Sequence, residues 1–384
     1  MRFLRRFWPF RRRASVVPLA SEDLLATEER LRHAAEDVLV VHERQIRGGV
    51  VLFRGTLRVE TPRALETLLA RFEPFGYTPF VRAEGDGVLV QAWPLGDLRQ
   101  QARPLLALTL FALTVASTFL AGASFFVGSE TFDAYRALPF PGWIVSGAPF
   151  AVTLLAILGV HEFGHYFTAR YYGAAVSLPY FIPAPLLFGT FGAIIRMRSP
   201  ARDRNSLFDI AAAGPLAGLA IAVPAILLGL EWSTVAPVPS GGHIVFGDSL
   251  LMGLLVYLRF GALGEGMDVF VHPVALAGWV GLFVTALNLF PVGQLDGGRI
   301  AYALFGKRHR LVGIATFLAL LGLGVVTGAA NWVVWAALLF FLVGFHHSPP
   351  LDDVTPLSRG RWIVGIICLV LLILLIPPVP IRIS

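Results

Sequence analysis

His161, Glu162 and His165 occur as His161-Glu162-Phe163-Gly164-His165, directly after an uncharged apolar run from Ile144 to Val160. At about 100° per helical residue the two histidines lie roughly 40° apart, with Glu162 about 100° from the first. All three therefore reach one spot beside a helix. Two imidazoles there can hold Zn²⁺, and a carboxylate next to them can take a proton from metal-bound water. On a soluble surface helix the pattern arises readily by chance. At the edge of a membrane-grade apolar run, ionisable side chains are costly and by default functional.

A catalytic zinc uses three protein ligands and keeps one position for water. Asp296 is the best third candidate, an acidic residue expected at membrane depth in the Gly-flanked turn Leu295-Asp296-Gly297-Gly298. Its competing reading is a helix cap. His272, His309, His346 and His347 read as structural or interfacial, and His33 and His42 as exposed helix residues. Cys368, the single cysteine, excludes an intrachain disulfide and a cysteine-based zinc site.

The elements that position these groups are membrane spans. Hydrophobic residues make up 56% of the 384, charged residues 15%, and mean hydropathy is +0.70. Seven apolar runs read as spans: Leu105 to Val127, Ile144 to Gly173, Leu207 to Leu230, Pro273 to Phe290, Leu311 to Val326, Trp332 to Phe345 and Trp362 to Ile376. Leu250 to Phe260 is too short to cross and ends in Arg259, so it is expected to be interfacial or re-entrant. Gly214 and Gly218, in the third run, form a G-xxx-G pair that lets a neighbouring helix approach closely.

The net charge of +6 reflects topology, and no nucleic-acid partner is expected. Arg103, Arg196, Arg198, Arg202, Arg204, Arg299, Lys307, Arg308, Arg310, Arg359 and Arg361 share one side, expected to be cytoplasmic. Glu130, Asp133, Glu231, Asp248, Glu265 and Asp268 fall on the other. The histidine motif and Asp296 then arrive at the cytoplasmic face. The fold class is a polytopic α-helical membrane protein of about seven transmembrane helices with a small N-terminal soluble α+β domain.

Residues 1–20 form a basic, aromatic segment, 21–100 the α+β domain and 105–384 the membrane domain. In the α+β domain a helix is expected from Ser21 to about Val41, with Gly48-Gly49 as its break. A strand at Val50–Phe53 should give way to a turn at Arg54–Arg58, and a helix should run from Pro62 to Glu73. Phe80–Ala83 and Val88–Gln91 flank Glu84-Gly85-Asp86-Gly87 as a hairpin. Ser177 to Arg198 fits no helix: Pro179, Pro183 and Pro185 interrupt it, and Gly189 to Ile195 reads as an extended run. It is expected to form a re-entrant hairpin at membrane depth. An unwound substrate could add to it as a strand, or it could be a hydrophobic plug.

Three ordered motifs carry a resemblance. His161-Glu162-Phe163-Gly164-His165, Gly214-Pro215-Leu216-Ala217-Gly218, and Asn288-Leu289-Phe290-Pro291 followed by Leu295-Asp296-Gly297-Gly298 resemble the site-2 protease family of intramembrane zinc metalloproteases. The resemblance implies that His161, His165 and Asp296 bind Zn²⁺ and that Glu162 is the general base and acid. It also implies that Asn288 orients or polarises the substrate carbonyl. The implied reaction is hydrolysis of a peptide bond in or near the membrane segment of a membrane-anchored protein. The N-terminal domain is similar to that of the EGY-like plastid and cyanobacterial branch, where Gly55-Thr56-Leu57-Arg58 stands at the place of a Gly-Asn-Leu-Arg motif. The location implied is the bacterial cytoplasmic membrane, or else a plastid membrane, with the N-terminal domain and the active-site face cytoplasmic. Two other classes compete. A catalytically silent relative acting as a membrane chaperone would typically lack Glu162 or a histidine ligand, and a metal transporter would spread its ionisable residues along several spans.

Overall fold

The computed structural model describes residues 21–94, 103–124, 146–184, 188–238 and 244–383, which form two compact units. The basic segment 1–20, the acidic Glu130 and Asp133, Pro185, and the adjoining ends of the first two expected spans lie outside the described residues.

The first unit is built on helix α1 (Ser21–Ala35), strands β1 (Leu39–Arg47) and β2 (Val50–Leu57), helix α2 (Thr61–Phe72), and strands β3 (Thr78–Glu84) and β4 (Gly87–Trp93). The strands make an antiparallel sheet in the order β1-β2-β4-β3. Period-two patterning decides its buried face: Val51 and Phe53 of β2 and Val88, Val90 and Ala92 of β4 point inward. Ala64, Leu65, Leu68 and Phe72 of α2 cover that face. The first helix ends earlier than expected, because Leu39-Val40-Val41 pair with Gly55-Thr56-Leu57 in the sheet. The expected turn at Arg54–Arg58 is likewise strand as far as Leu57. Gly55 permits this: the register slips between Val41 and Glu43, and a Cβ on Gly55 would stand 1.8 Å from the Val40 carbonyl oxygen.

Two segments from far along the chain, Arg198–Arg204 and Ser348–Pro356, belong to this unit. Leu351–Asp353 lies along β3. Val81 N–H donates to the Leu351 carbonyl (2.7 Å), and Asp353 N–H donates to the Val81 carbonyl (2.9 Å). Ala201–Asp203 lies beside it in turn, accepting from Leu351 N–H (2.9 Å) and Asp352 N–H (2.8 Å). The Leu351 side chain is part of the unit's core.

The second unit is helical. Four helices are long and apolar enough to cross a membrane: α3 (Pro104–Ser124), α4 (Ala148–Tyr171), α5 (Arg204–Glu231), and the stretch Asp296–Thr327. That stretch comprises α8 (Asp296–Phe305) and α9 (His309–Thr327), separated at Gly306–Arg308. Shorter apolar helices are α6 (Leu250–Phe260), α7 (Pro273–Leu289) and α10 (Ala330–Leu338), the last continuing as a π-helical turn over Leu339–Val343. Helix α11 (Arg359–Leu375) closes the set. Glycine lets several of these meet backbone to backbone: a Cβ on Gly147 would lie 2.0 Å from the Phe119 carbonyl oxygen, and one on Gly229 2.2 Å from the Ala275 nitrogen.

Three strand pairs join the loops of this unit. The β5 (Tyr180–Pro183) and β6 (Thr190–Ile194) pair is the hairpin expected from the prolines and the extended run. Strand β7 (Thr234–Pro237) pairs with β9 (Met267–Phe270), and β8 (Ile244–Phe246) with β10 (Ile381–Ile383). Helix α6 lies between β8 and β9 and begins with the Ser249 hydroxyl accepting from Met252 N–H.

Candidate metal centre

His161, Glu162 and His165 sit in the second half of α4, and all three are at most 4% exposed. Asp296 approaches from another helix. It is the first residue of α8, and the preceding Leu295 occupies the N-cap position. The sequence reading of Asp296 as part of an irregular turn therefore becomes a helix start, while its side chain is used on the histidines. Its Oδ2 lies 3.1 Å from His165 Nε2 and 3.5 Å from His161 Nε2, and the two Nε2 atoms are 3.2 Å apart. Among the described residues this is the one cluster of three potential ligands.

A metal fits that triangle by a simple measure. Ligands about 2.0–2.1 Å from a tetrahedral zinc stand about 3.3 Å from one another. The three observed separations bracket that value, so the side chains already hold the spacing a zinc requires. The donors are two imidazoles and a carboxylate, as in zinc hydrolase sites. In a water-poor interior their mutual approach needs a positive charge to hold it.

Neighbouring groups fix the ring orientations. His165 Nδ1 is 2.6 Å from the Ile210 carbonyl oxygen, which directs Nε2 toward His161 and Asp296. Ile210 lies in the turn of α5 before Pro215, a residue without an N–H that loosens the helix there. Gly214 and Gly218 stand behind the two imidazoles. A Cβ on Gly214 would be 2.1 Å from His165 Nε2, and one on Gly218 would be 3.2 Å from His161 Cβ. The expected close helix approach is present, and its purpose is visible: the four-residue glycine spacing matches the four-residue histidine spacing. Gly164 completes the contact from the other side, since a Cβ there would lie 2.7 Å from the Ala213 carbonyl oxygen.

Asn288, near the end of α7, is the remaining predicted site residue, and its Nδ2 is 3.4 Å from His161 Nε2. The Ile195 backbone, just past β6, hydrogen-bonds to the Glu162 carboxylate. Sequence reading singled out neither the Ile210 carbonyl nor the Ile195 amide. Backbone groups leave no residue-type signal, although the apolar, proline-broken stretch around Ile195 did mark it as unusual. The other histidines stay away from the cluster. His272 caps α7, accepting from Val274 N–H, and His309 is buried with its Nδ1 on the Gly306 carbonyl. His33, His42 and His346 are exposed.

The fold and this site define a membrane-embedded metalloprotein with the ligand set of a zinc hydrolase. Residues 149–329 match Peptidase family M50, and the chain belongs to that family. It is 31% identical over 387 residues to "Probable zinc metalloprotease EGY2, chloroplastic" of Oryza sativa subsp. indica, covering 95% of this chain and 67% of the relative. It is 33% identical over 296 residues to "Probable zinc metalloprotease EGY1, chloroplastic" of Arabidopsis thaliana, covering 72% and 53%. Against "Probable zinc metallopeptidase EGY3, chloroplastic" of Arabidopsis thaliana it is 31% identical over 288 residues, covering 68% and 47%. No solved structure matches it. The chain is a zinc metalloprotease of this family, and His161, His165 and Asp296 sit close enough to form its zinc site.

Proposed function

We propose that this protease cuts within the membrane, hydrolysing a peptide bond in or near the transmembrane segment of a membrane-anchored protein. The observation that carries the reading is the position of the histidine motif, buried in a helix of membrane length, with Asp296 reaching it from a second apolar element.

In this reading His161, His165 and Asp296 hold the zinc, which when bound polarises a carbonyl and makes water nucleophilic near neutral pH. Glu162 takes the proton of the attacking water and passes it to the leaving amine. Ile195 N–H keeps the Glu162 carboxylate turned toward the site. Asn288, beside His161, offers an amide donor to the scissile carbonyl as charge builds on its oxygen. A helical substrate hides its carbonyls in intrahelical hydrogen bonds, so it must unwind locally first. Strand β6 suits an unwound segment, because among the described residues it pairs with β5 alone and leaves its other edge without a strand partner.

Seven membrane crossings suit the strand pairing better than four. A hydrogen-bonded strand pair cannot be split across a bilayer, so the crossings between its members must be even in number. Between β8 and β10 the expected crossings are α7, α9, α10 with its π turn, and α11, an even set. The four long helices alone would leave one crossing there. The same rule keeps α6 from crossing, since β7 and β9 pair around it. The chloroplastic relatives support a plastid-type membrane, and a bacterial cytoplasmic membrane fits the same sidedness, with the basic face inward.

The test is a pair of variants in the full-length protein assayed on a membrane-anchored reporter. Glu162→Gln is expected to keep its zinc and to lose cleavage by at least about a hundredfold, the usual weight of a general acid–base group. His165→Ala is expected to lose both zinc and cleavage. Zinc loss in Glu162→Gln equal to that in His165→Ala would make Glu162 structural instead.

A further inference from the structure

We infer that Arg299 recognises a carboxylate side chain of the substrate, so that this protease favours an Asp or Glu a few residues from the bond it cuts. The inference rests on the protease reading and names a feature of the substrates that reading requires.

Arg299 stands on the wall of the metal site. It lies one helical turn beyond Asp296 in α8, and residues three apart on a helix share a face. Its backbone N–H donates to the Leu295 carbonyl at 3.0 Å, within that first turn. The side chain is half-buried, and its charge is close enough to interact with that of Glu162. Nη1 reaches Met197 Sδ at 3.9 Å. Met197 is two residues past Ile195, whose backbone hydrogen-bonds to Glu162. Arg299 therefore sits where strand β6 runs out, beside the general base.

This guanidinium is poorly matched by its own chain. It carries five N–H donors, and a thioether is a weak acceptor. Among the described residues no carboxylate forms an ion pair with it, and Met197 is its one side-chain acceptor. Two other arginines on helices of this unit are paired. Arg361 in α11 donates to both oxygens of Asp209, at 2.8 and 2.7 Å, and Arg259 in α6 meets Glu231 at 2.9 Å.

The missing partner is an anion. Asp296 and Glu162 would balance a divalent ion held at the site, which leaves the charge of Arg299 in surplus. A surplus charge in a water-poor place is costly. A carboxylate answers it best, because its two oxygens match the planar guanidinium through parallel N–H···O bonds. A lipid phosphate is the competing occupant, since arginines near a membrane surface reach outward to headgroups. Arg299 instead turns toward Met197 and Glu162.

Strand geometry places the carboxylate. A substrate segment lying along the open edge of β6 advances about 3.3 Å per residue. Ile195 marks the level of Glu162, and Met197 lies about 7 Å further along at that rise. The acidic side chain therefore belongs about two or three residues from the scissile bond.

The test uses full-length protein and membrane-anchored reporters that extend far beyond the cut on both sides, which keeps chain-terminal carboxylates away. Two vesicle types are compared, neutral lipid alone and neutral lipid with phosphatidylglycerol. Mass spectrometry locates the cut, and Asp, Asn or Lys is then placed singly at the first four positions on either side. At one position two or three residues away, wild type is expected to prefer Asp over Asn by at least about tenfold in kcat/KM, the weight of a charged hydrogen bond. Lys there should be cut worst. Arg299→Gln is expected to cut the Asp and Asn reporters equally, and Arg299→Glu to prefer Lys, both with zinc content near wild type. Equal cutting of Asp, Asn and Lys reporters by wild type at every position overturns the inference, whatever the variants do. An Asp preference that persists in Arg299→Gln overturns it as well. So does zinc loss in Arg299→Gln and Arg299→Lys alike, which would make the side chain structural. A difference between wild type and Arg299→Gln that ignores the reporter and needs phosphatidylglycerol also overturns it, by assigning Arg299 to lipid. A wild type that cuts no reporter refutes the protease reading instead, so the two failures are distinguishable.

Discussion

At the scale of single residues, the site depends as much on what is missing as on what is present. His161 and His165 are held from behind by two positions without side chains. Gly214 leaves no room at all for a Cβ against His165 Nε2, whereas Gly218 leaves a tight but adjustable 3.2 Å against His161 Cβ. Gly214→Ala is therefore expected to cost most of the zinc and the activity, although it replaces none of the candidate ligands. Gly218→Ala should keep most of both. Metal content of the two purified variants decides the matter, and equal occupancy in both would show that α5 simply moves aside. Much of this site was legible in the sequence, because the spacing of His161, Glu162 and His165 is itself a geometric statement. Asp296 was legible from the cost of a carboxylate at that depth. The glycines were legible only as packing. Nothing in their letters says that the surface they receive consists of two imidazoles.

At the scale of elements, the β5–β6 hairpin is the piece whose role is most open to experiment. Prolines and a glycine-bounded extended run made the hairpin readable, and its pairing of Tyr180 with Ile194 and Phe181 with Ala193 bears that reading out. Proline at Ala193 or Ile194 removes a backbone donor and blocks strand pairing. If an unwound substrate adds to β6, at least one of these variants should cut poorly while zinc content and thermal stability remain near wild type. Normal cutting in both, or loss only alongside unfolding, would leave the hairpin as a hydrophobic plug. Ile195→Pro is a sharper case, because it also removes the hydrogen bond to Glu162 and should slow turnover even for short, already extended peptides. Other elements were less legible. The end of α1 and the length of β2 were misread because Val40, Val41 and Gly55 follow the demands of a bulged strand pair, and propensity near a glycine points to a turn. The bridges that Asp352 makes to Val81 and Asp203 lie so far along the chain from β3 that no local pattern announces them.

At the scale of the whole molecule, apolar runs announce that the chain is membranous, but the number of crossings depends on partners that only a folded chain reveals. The run at 330–343 is the deciding one, as α10 is short and ends in a π turn. Its first residues make contacts that set their side of the bilayer: Asn331 Nδ2 donates to the Ile381 carbonyl (3.4 Å), and Trp332 Nε1 to the Pro378 carbonyl (2.8 Å). Ile381 in turn pairs with Phe246. The turn between α9 and α10 therefore shares a side with β8 and β10, and by the even-crossing rule that side is reached after α3, α4 and α5. If only the four long helices crossed, residue 331 would follow the fourth crossing and face the same side as Arg103. Seven crossings put it on the opposite side. Cysteine labelling separates the two cleanly, because Cys368 is the one native thiol and is buried. In a Cys368→Ser background, single cysteines at Asp86 and Arg308 should react with a membrane-impermeant maleimide from the basic face. Single cysteines at Glu265 and Asn331 should react only from the other face. Labelling of residue 331 together with residue 86 would put an even number of crossings before it, as with the four long helices alone, and the strand pair β8–β10 could not then exist in the membrane-bound protein.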